Sequence, residues 1–106
     1  MREALEQLEA TIARRRSADP ETSYVARLLG KGRPKIAQKV GEEAVEIVIA
    51  AISGDKKGVV MEGADLLFHL GVLLAEMGLS FDDIGAELER RDGISGIAEK
   101  AARSKG

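Results

Sequence analysis

Apolar residues recur along this chain with a helical period and nowhere alternate with a period of two. Met1–Arg16 sets Leu5, Leu8 and Ile12 among Glu, Gln and Arg, the spacing of an amphipathic helix. Asp19-Pro20 reads as a start signal, because Asp accepts from unpaired first-turn amides and Pro fits the first turn. The helix predicted after it is short, carries Tyr24, Val25, Leu28 and Leu29, and stops at Gly30. Pro34 opens a longer helix that can run to Gly54, and Asp55 caps another from Lys56 to Met77, ending at Gly78. Ser80 followed by Asp83 resembles a capping box at the head of a helix reaching Arg91. Small and charged residues after Gly93 predict a frayed tail over 94–106, which leaves 1–93 as a single domain. β-branched residues fall only inside helical patterns and no hairpin turn is evident, so the fold class is all-α.

The two central helices have an unusual distribution of polar residues. From Ala44 to Ile52 the sequence reads AVEIVIAAI, with Glu46 as its one polar side chain. A helix apolar all round is expected to be buried on all sides, which would place Glu46 inside, and buried carboxylates need partners. From Val59 to Ala75 the polar side chains are Glu62, Asp65 and His69. At about 100° per residue these three fall within about 60° of one another, one polar stripe on an apolar helix. Lys35, Lys39, Glu42, Glu43 and Glu46 follow three- and four-residue steps and share a broad face of the preceding helix. Facing stripes would crowd Glu42, Glu43, Glu46, Glu62 and Asp65 together, and like charges at that density require a cation. Oxygen ligands favour a hard divalent ion, Mg²⁺ or Mn²⁺ over zinc. Glu-rich faces are commonly just solvated, and Glu42 and Glu43 alone would suit that description. Glu46 and the Glu62/Asp65 pair, set among apolar neighbours, suit it poorly. His69 alone reads as a hydrogen-bonded interior histidine.

The segment from Thr22 to Gly41 holds Arg27, Lys31, Arg33, Lys35 and Lys39 and no acidic residue. Gly30 and Gly32 flank Lys31, so the loop backbone can approach a ligand, and the helix opened by Pro34 offers amides to an anion. A phosphate-rich ligand bridging Lys31, Arg33, Lys35 and Lys39 to a carboxylate-held metal fits both halves. A plain basic surface strip is the competing reading. Gly58, Gly63 and Gly71 each cost about 1 kcal/mol against Ala in a helix, which points to close helix approach or bending. Two nearly all-apolar helices cannot both be covered by the short remainder of the chain, so a homodimer or larger assembly is expected.

Composition narrows the chemistry further. With 106 residues, 44% apolar and 32% charged, the chain fits one folded domain. Zero cysteines exclude disulfides, thiolate metal sites and a cysteine nucleophile, and one histidine excludes a multi-histidine zinc site within one chain. No Trp, one Tyr and two Phe leave no stacking platform for single strands, and a net charge of −2 argues against a nucleic-acid partner. Charges throughout Met1–Arg16 do not form a signal peptide, and no stretch is read as long and apolar enough to span a bilayer. A cytoplasmic protein without a membrane partner is expected.

The stretch SYVARLLGKGRPKIAQKVGEEAVEIVIAAISGD, followed by EGADLLFHLGVLLAEMGLSFDDI, closely resembles the phosphoribosyl-ATP pyrophosphatases of histidine biosynthesis. The resemblance spans roughly Ser23 to Arg91. That family belongs to the all-α nucleoside triphosphate pyrophosphatases, marked by Glu-x-x-Glu and then Glu-x-x-Asp, here Glu43-Ala-Val-Glu46 and Glu62-Gly-Ala-Asp65, with Glu42 beside them. The resemblance implies that Glu43, Glu46, Glu62 and Asp65 hold Mg²⁺ and that a helical bundle is completed by dimerisation. It implies a Mg-dependent hydrolase, a phosphoribosyl-ATP diphosphatase, that splits phosphoribosyl-ATP with water into phosphoribosyl-AMP and pyrophosphate, the second step of the pathway. Glu42 is the first candidate to orient or deprotonate the water. Relatives fused to a cysteine-bearing cyclohydrolase are not matched by this length and composition, so the stand-alone form is expected. The alternative enzyme is a housecleaning pyrophosphatase for another nucleoside triphosphate. A di-iron oxidase would want Glu-x-x-His pairs, and Leu66 stands three before His69. A non-enzymatic dimeric module would leave the carboxylate stripes unexplained.

Overall fold

The computed structural model describes residues 1–94 and 96–105, which form six helices and, among the described residues, no strand. In chain order these are α1 (Arg2–Arg15), α2 (Tyr24–Gly30), α3 (Arg33–Ile52), α4 (Lys56–Glu76), α5 (Phe81–Arg91) and α6 (Gly96–Lys105). The all-α class is as the periodicity predicts. The long helices α3 and α4 pack along each other as an antiparallel hairpin and make the main contact of the molecule, with α1 against α4 and α2 against both. The core lies where those four meet: Ile12, Val25, Leu28, Ile36 and Val72 are buried, with Leu8, Leu29, Phe68, Leu73 and Ala75 packed around them.

Local chemistry explains the starts of several helices. Asp55 Oδ1 accepts from the Gly58 amide at 2.9 Å and so caps α4. The Ser80/Asp83 capping box is present, with the Asp83 carboxylate accepting from the Ser80 amide at 2.8 Å. The start of α2 differs from expectation. Asp19-Pro20 makes a turn, in which Asp19 Oδ1 accepts from the Glu21 amide at 3.0 Å. The cap is Ser23, whose hydroxyl oxygen accepts from Ala26 N at 3.1 Å and donates to the Arg15 carbonyl at 3.1 Å. One hydroxyl thus starts α2 and ties it to the end of α1.

One further expectation is corrected, and the segment after Gly93 takes a defined local form. The segment read as a frayed tail contains α6; Ser95 and Gly106, also in that segment, lie outside the described residues. The 21 residues of α4 do meet the length and hydropathy of a membrane-spanning helix, with a mean hydropathy of 1.6 over its most apolar 18-residue window. Here α4 is the central helix of the bundle, contacted by α1, α2 and α3. It also carries Glu62 and Asp65 near its middle. Part of its apolar character serves helix packing, through Phe68, Val72, Leu73 and Ala75, while Val60 and Met61 stay exposed. Gly71 on α4 shows how tight that packing is: a Cβ there would stand 2.9 Å from Ile12 Cδ1 and 3.4 Å from the Phe81 ring. A Cβ on Gly63 would meet nothing within 4 Å and one on Gly58 would crowd only the capping Asp55 carboxylate, so of the three glycines a close approach to another helix occurs at Gly71 alone.

Candidate metal and phosphate site

The antiparallel hairpin brings the middle of α3 against the middle of α4, and the two acidic motifs meet there. Ligand oxygens of Glu43, Glu62 and Asp65 all lie within 4.8 Å of one another. Glu46, one turn beyond Glu43, reaches the carboxyl of Glu62. One oxygen each of Glu43 and Glu62, Oε2 in both, is buried with no hydrogen-bond partner. Burial normally requires such atoms to be satisfied, so two orphaned carboxylate oxygens facing one space are a demand for a cation or a proton. Without a cation the demand falls on Glu62, whose carboxyl is pushed up to about 7. The largest cause is the hydrogen bond shared with Glu46, followed by the one with Glu43 and by loss of solvent. Several carboxylates cannot all be ionised at that separation, and the proton stands where a positive charge would serve better. The donors are all hard oxygens, which fits Mg²⁺ or Mn²⁺.

Not every expected acidic residue joins this cluster. Glu42 is exposed; its Oε1 accepts from Gln38 Nε2 at 2.8 Å and its Oε2 lies 3.8 Å from Lys39 Nζ. The Gln38 hydrogen bond is the main reason its carboxyl is held below the usual range. Glu46 is also exposed, not interior as the apolar run around it implied. The reason is that α4 and α2 leave much of the surface of α3 uncovered. Val45, Val48, Ile49 and Ile52 are exposed with it, Ile52 at 84%. Asp65 is exposed as well.

The basic segment sits toward the opposite end of the hairpin, at the start of α3. Gly32 is the N-cap of α3 and supplies no side chain to the first-turn amides. Lys31 ends α2 and is exposed, while Lys35 and Lys39 follow along α3, both half-buried. Arg33 does not stand free for a phosphate. Its Nε donates to Glu76 Oε2 at 2.6 Å and its Nη2 to Oε1 at 3.4 Å, a forked pair that joins the start of α3 to the end of α4. That pair raises the guanidinium above its ordinary value.

His69 is the interior histidine expected, 7% exposed. Both ring nitrogens are engaged, Nδ1 with the Asp65 carbonyl at 2.8 Å and Nε2 with the Tyr24 hydroxyl at 2.9 Å. Neither is left to bind a metal. Sequence reasoning missed the Glu76 partner of Arg33 and the Tyr24 partner of His69, because each lies more than forty residues from its mate.

Residues 5–92 match the family model described as phosphoribosyl-ATP pyrophosphohydrolase. The chain is 71% identical over 102 residues to the phosphoribosyl-ATP pyrophosphatase of Rhizorhabdus wittichii, covering 96% of each chain. It is 63% identical to that of Erythrobacter litoralis over 93% of this chain and 95% of the relative. To the Zymomonas mobilis protein of the same name it is 59% identical, over 97% of this chain and 96% of the relative. Similarity of this extent covers both acidic motifs and the basic segment, and the chain belongs to the phosphoribosyl-ATP pyrophosphohydrolase family.

Proposed function

We propose that this chain hydrolyses phosphoribosyl-ATP to phosphoribosyl-AMP and pyrophosphate, the second step of histidine biosynthesis, with Mg²⁺ as cofactor and Mn²⁺ as a substitute. The observation that carries the reading is the meeting of Glu43, Glu46, Glu62 and Asp65 with two buried, unpartnered carboxylate oxygens among them. Those four residues would hold the ion. Bound there, the ion supplies charge neutralisation of the triphosphate and Lewis acidity toward the phosphoanhydride. Lys31, Lys35 and Lys39 bind substrate phosphates, and Arg33 joins them when it exchanges Glu76 for a phosphate of equal charge sign. Glu42, one residue before Glu43 and held ionised by Gln38, is the first candidate to orient the water or take its proton. The water oxygen forms a bond to phosphorus as the α–β anhydride bond breaks, and pyrophosphate leaves with the electron pair.

The exposed apolar residues of α3 and α4 beside this cluster support a homodimer as the working form. A chain with no cysteine and a nucleotide substrate suits the cytoplasm. The deciding experiment is a substrate panel of phosphoribosyl-ATP against ordinary and damaged nucleoside triphosphates, with Mg²⁺ and with chelator. Phosphoribosyl-ATP is expected to be preferred, chelator to abolish turnover, and Glu46→Gln to lower turnover roughly 100-fold with helicity retained. Comparable kcat/KM on an ordinary triphosphate would defeat the substrate assignment; full turnover of Glu46→Gln in saturating Mg²⁺ would remove Glu46 from the site.

A further inference from the structure

Asp65 is held from behind by a hydrogen-bond chain that the reaction above does not use. His69 lies one turn further along α4, with Nδ1 2.8 Å from the Asp65 carbonyl. A carbonyl only accepts, so Nδ1 donates. In the neutral ring Nε2 is then the acceptor, and the Tyr24 hydroxyl donates to it from 2.9 Å. The Tyr24 ring lies over Phe68 at 6.0 Å and edge-on to His69 at 5.8 Å, and Phe68 meets His69 edge-on at 5.2 Å. With one Tyr, two Phe, one His and no Trp in the chain, three of its four such rings gather around His69.

This chain of bonds fastens α2, through its first residue, to the turn of α4 that carries Asp65. The link is independent of α3. Among the described residues no hydrogen bond holds the Asp65 carboxylate itself, so its place opposite Glu43 and Glu62 depends on its backbone. Mg²⁺ needs oxygens near 2.0–2.1 Å in close to octahedral order, whereas Ca²⁺ accepts about 2.3–2.6 Å and irregular shells. A backbone anchor under one ligand therefore matters much more for the smaller ion.

We propose that Tyr24 and His69 are positioning residues, whose hydrogen-bond chain to the Asp65 carbonyl fixes that carboxylate and makes the site discriminate Mg²⁺ from Ca²⁺. The inference rests on the Mg²⁺ reading above. Its test is calorimetric titration of each cation into the full chain and into Tyr24→Phe, which keeps the ring and its packing on Phe68 and loses only the hydroxyl. Mg²⁺ affinity is expected to fall about fivefold, less than the roughly tenfold or more for a group bonded directly to a ligating side chain, while Ca²⁺ affinity changes less than about twofold. His69→Asn is expected to show the same selective loss, and adding Tyr24→Phe to it to cost nothing more, because both act through one chain. The single histidine gives one set of imidazole nitrogen resonances, expected to report the Nδ1–H tautomer. Equal losses for both cations, additive losses in the double variant, or an Nε2–H tautomer would overturn the inference while leaving the function standing. A native chain that binds neither cation would defeat the Mg²⁺ reading, and this inference with it.

Discussion

Glu62 shows most directly what a carboxylate cluster does to a single residue. Its carboxyl is pushed up to about 7 from the ordinary 4.5, mainly by the hydrogen bond with Glu46 and then by Glu43. A carboxyl that binds its proton more tightly folded than unfolded stabilises the fold fully below about pH 4.5. That stabilisation is lost as the pH rises through about 7, because the ionised form is the unfavourable one beside its neighbours. Metal-free protein in chelator is therefore expected to melt at a higher temperature near pH 5 than near pH 8, and Glu62→Gln to flatten that slope. Added Mg²⁺ at pH 8 should restore the midpoint, since a bound cation stabilises only the folded form. Melting curves in chelator that are flat from pH 5 to pH 8 would show that the carboxyls of Glu43, Glu46 and Glu62 are not in contact. Glu87 illustrates the opposite case: Arg90 first, then Arg91, hold its carboxyl down to about 2, so it stays ionised throughout this range and does not contribute to the slope.

At the scale of elements, the helices were legible because their punctuation is local. The Asp55 cap, the Ser80/Asp83 box and the Pro34 start each act within four residues, and each appears where the spacing put it. The acidic stripes on α3 and α4 were legible for the same reason, since a helix turns any regular spacing into a face. The start of α2 was misread because both Asp19 and Ser23 are good capping residues, and tertiary contact chose between them: Ser23 also bonds the end of α1. Arg33–Glu76 and Tyr24–His69 were illegible, being pairs made by the fold and not by the period. Gly71 joins the two kinds, a local helix cost that buys a distant close approach. Ala at 71 would gain about 1 kcal/mol of helix propensity and lose about 2 kcal/mol by crowding Ile12, which is 1% exposed and has little room to yield. Gly71→Ala is thus expected to lower the melting midpoint by about 5 °C. An increase would mean that α1 and α4 pack less closely than the 2.9 Å approach requires.

At the scale of the molecule, the single chain exposes more surface than its size calls for. Its accessible area is 7503 Å², against about 5,700 Å² for a compact monomer of this mass. Its Cα radius of gyration is 15.9 Å, where about 13 Å is usual for this length. Part of the excess belongs to α5 and α6, which lie outside the main packing. The rest includes Val45, Val48, Ile49 and Ile52 on α3 with Val60 and Met61 on α4, all more than half exposed. Such a run is more than scattered surface apolarity, and it borders the carboxylates, since Ile49 and Glu46 line the same cleft of about 250 Å³ with Glu62. A second copy laid on this face would cover the apolar residues and lower the dielectric around Glu46, strengthening every charge interaction in the cluster. Sedimentation velocity at micromolar concentration is therefore expected to give a dimer. Val48→Asp should shift it toward monomer by placing an unpaired charge in the covered face. Cation affinity and turnover should fall together with dimer content, and recover as protein concentration is raised. A native monomer at these concentrations, or a Val48→Asp monomer with full turnover, would mean that one chain completes the site unaided.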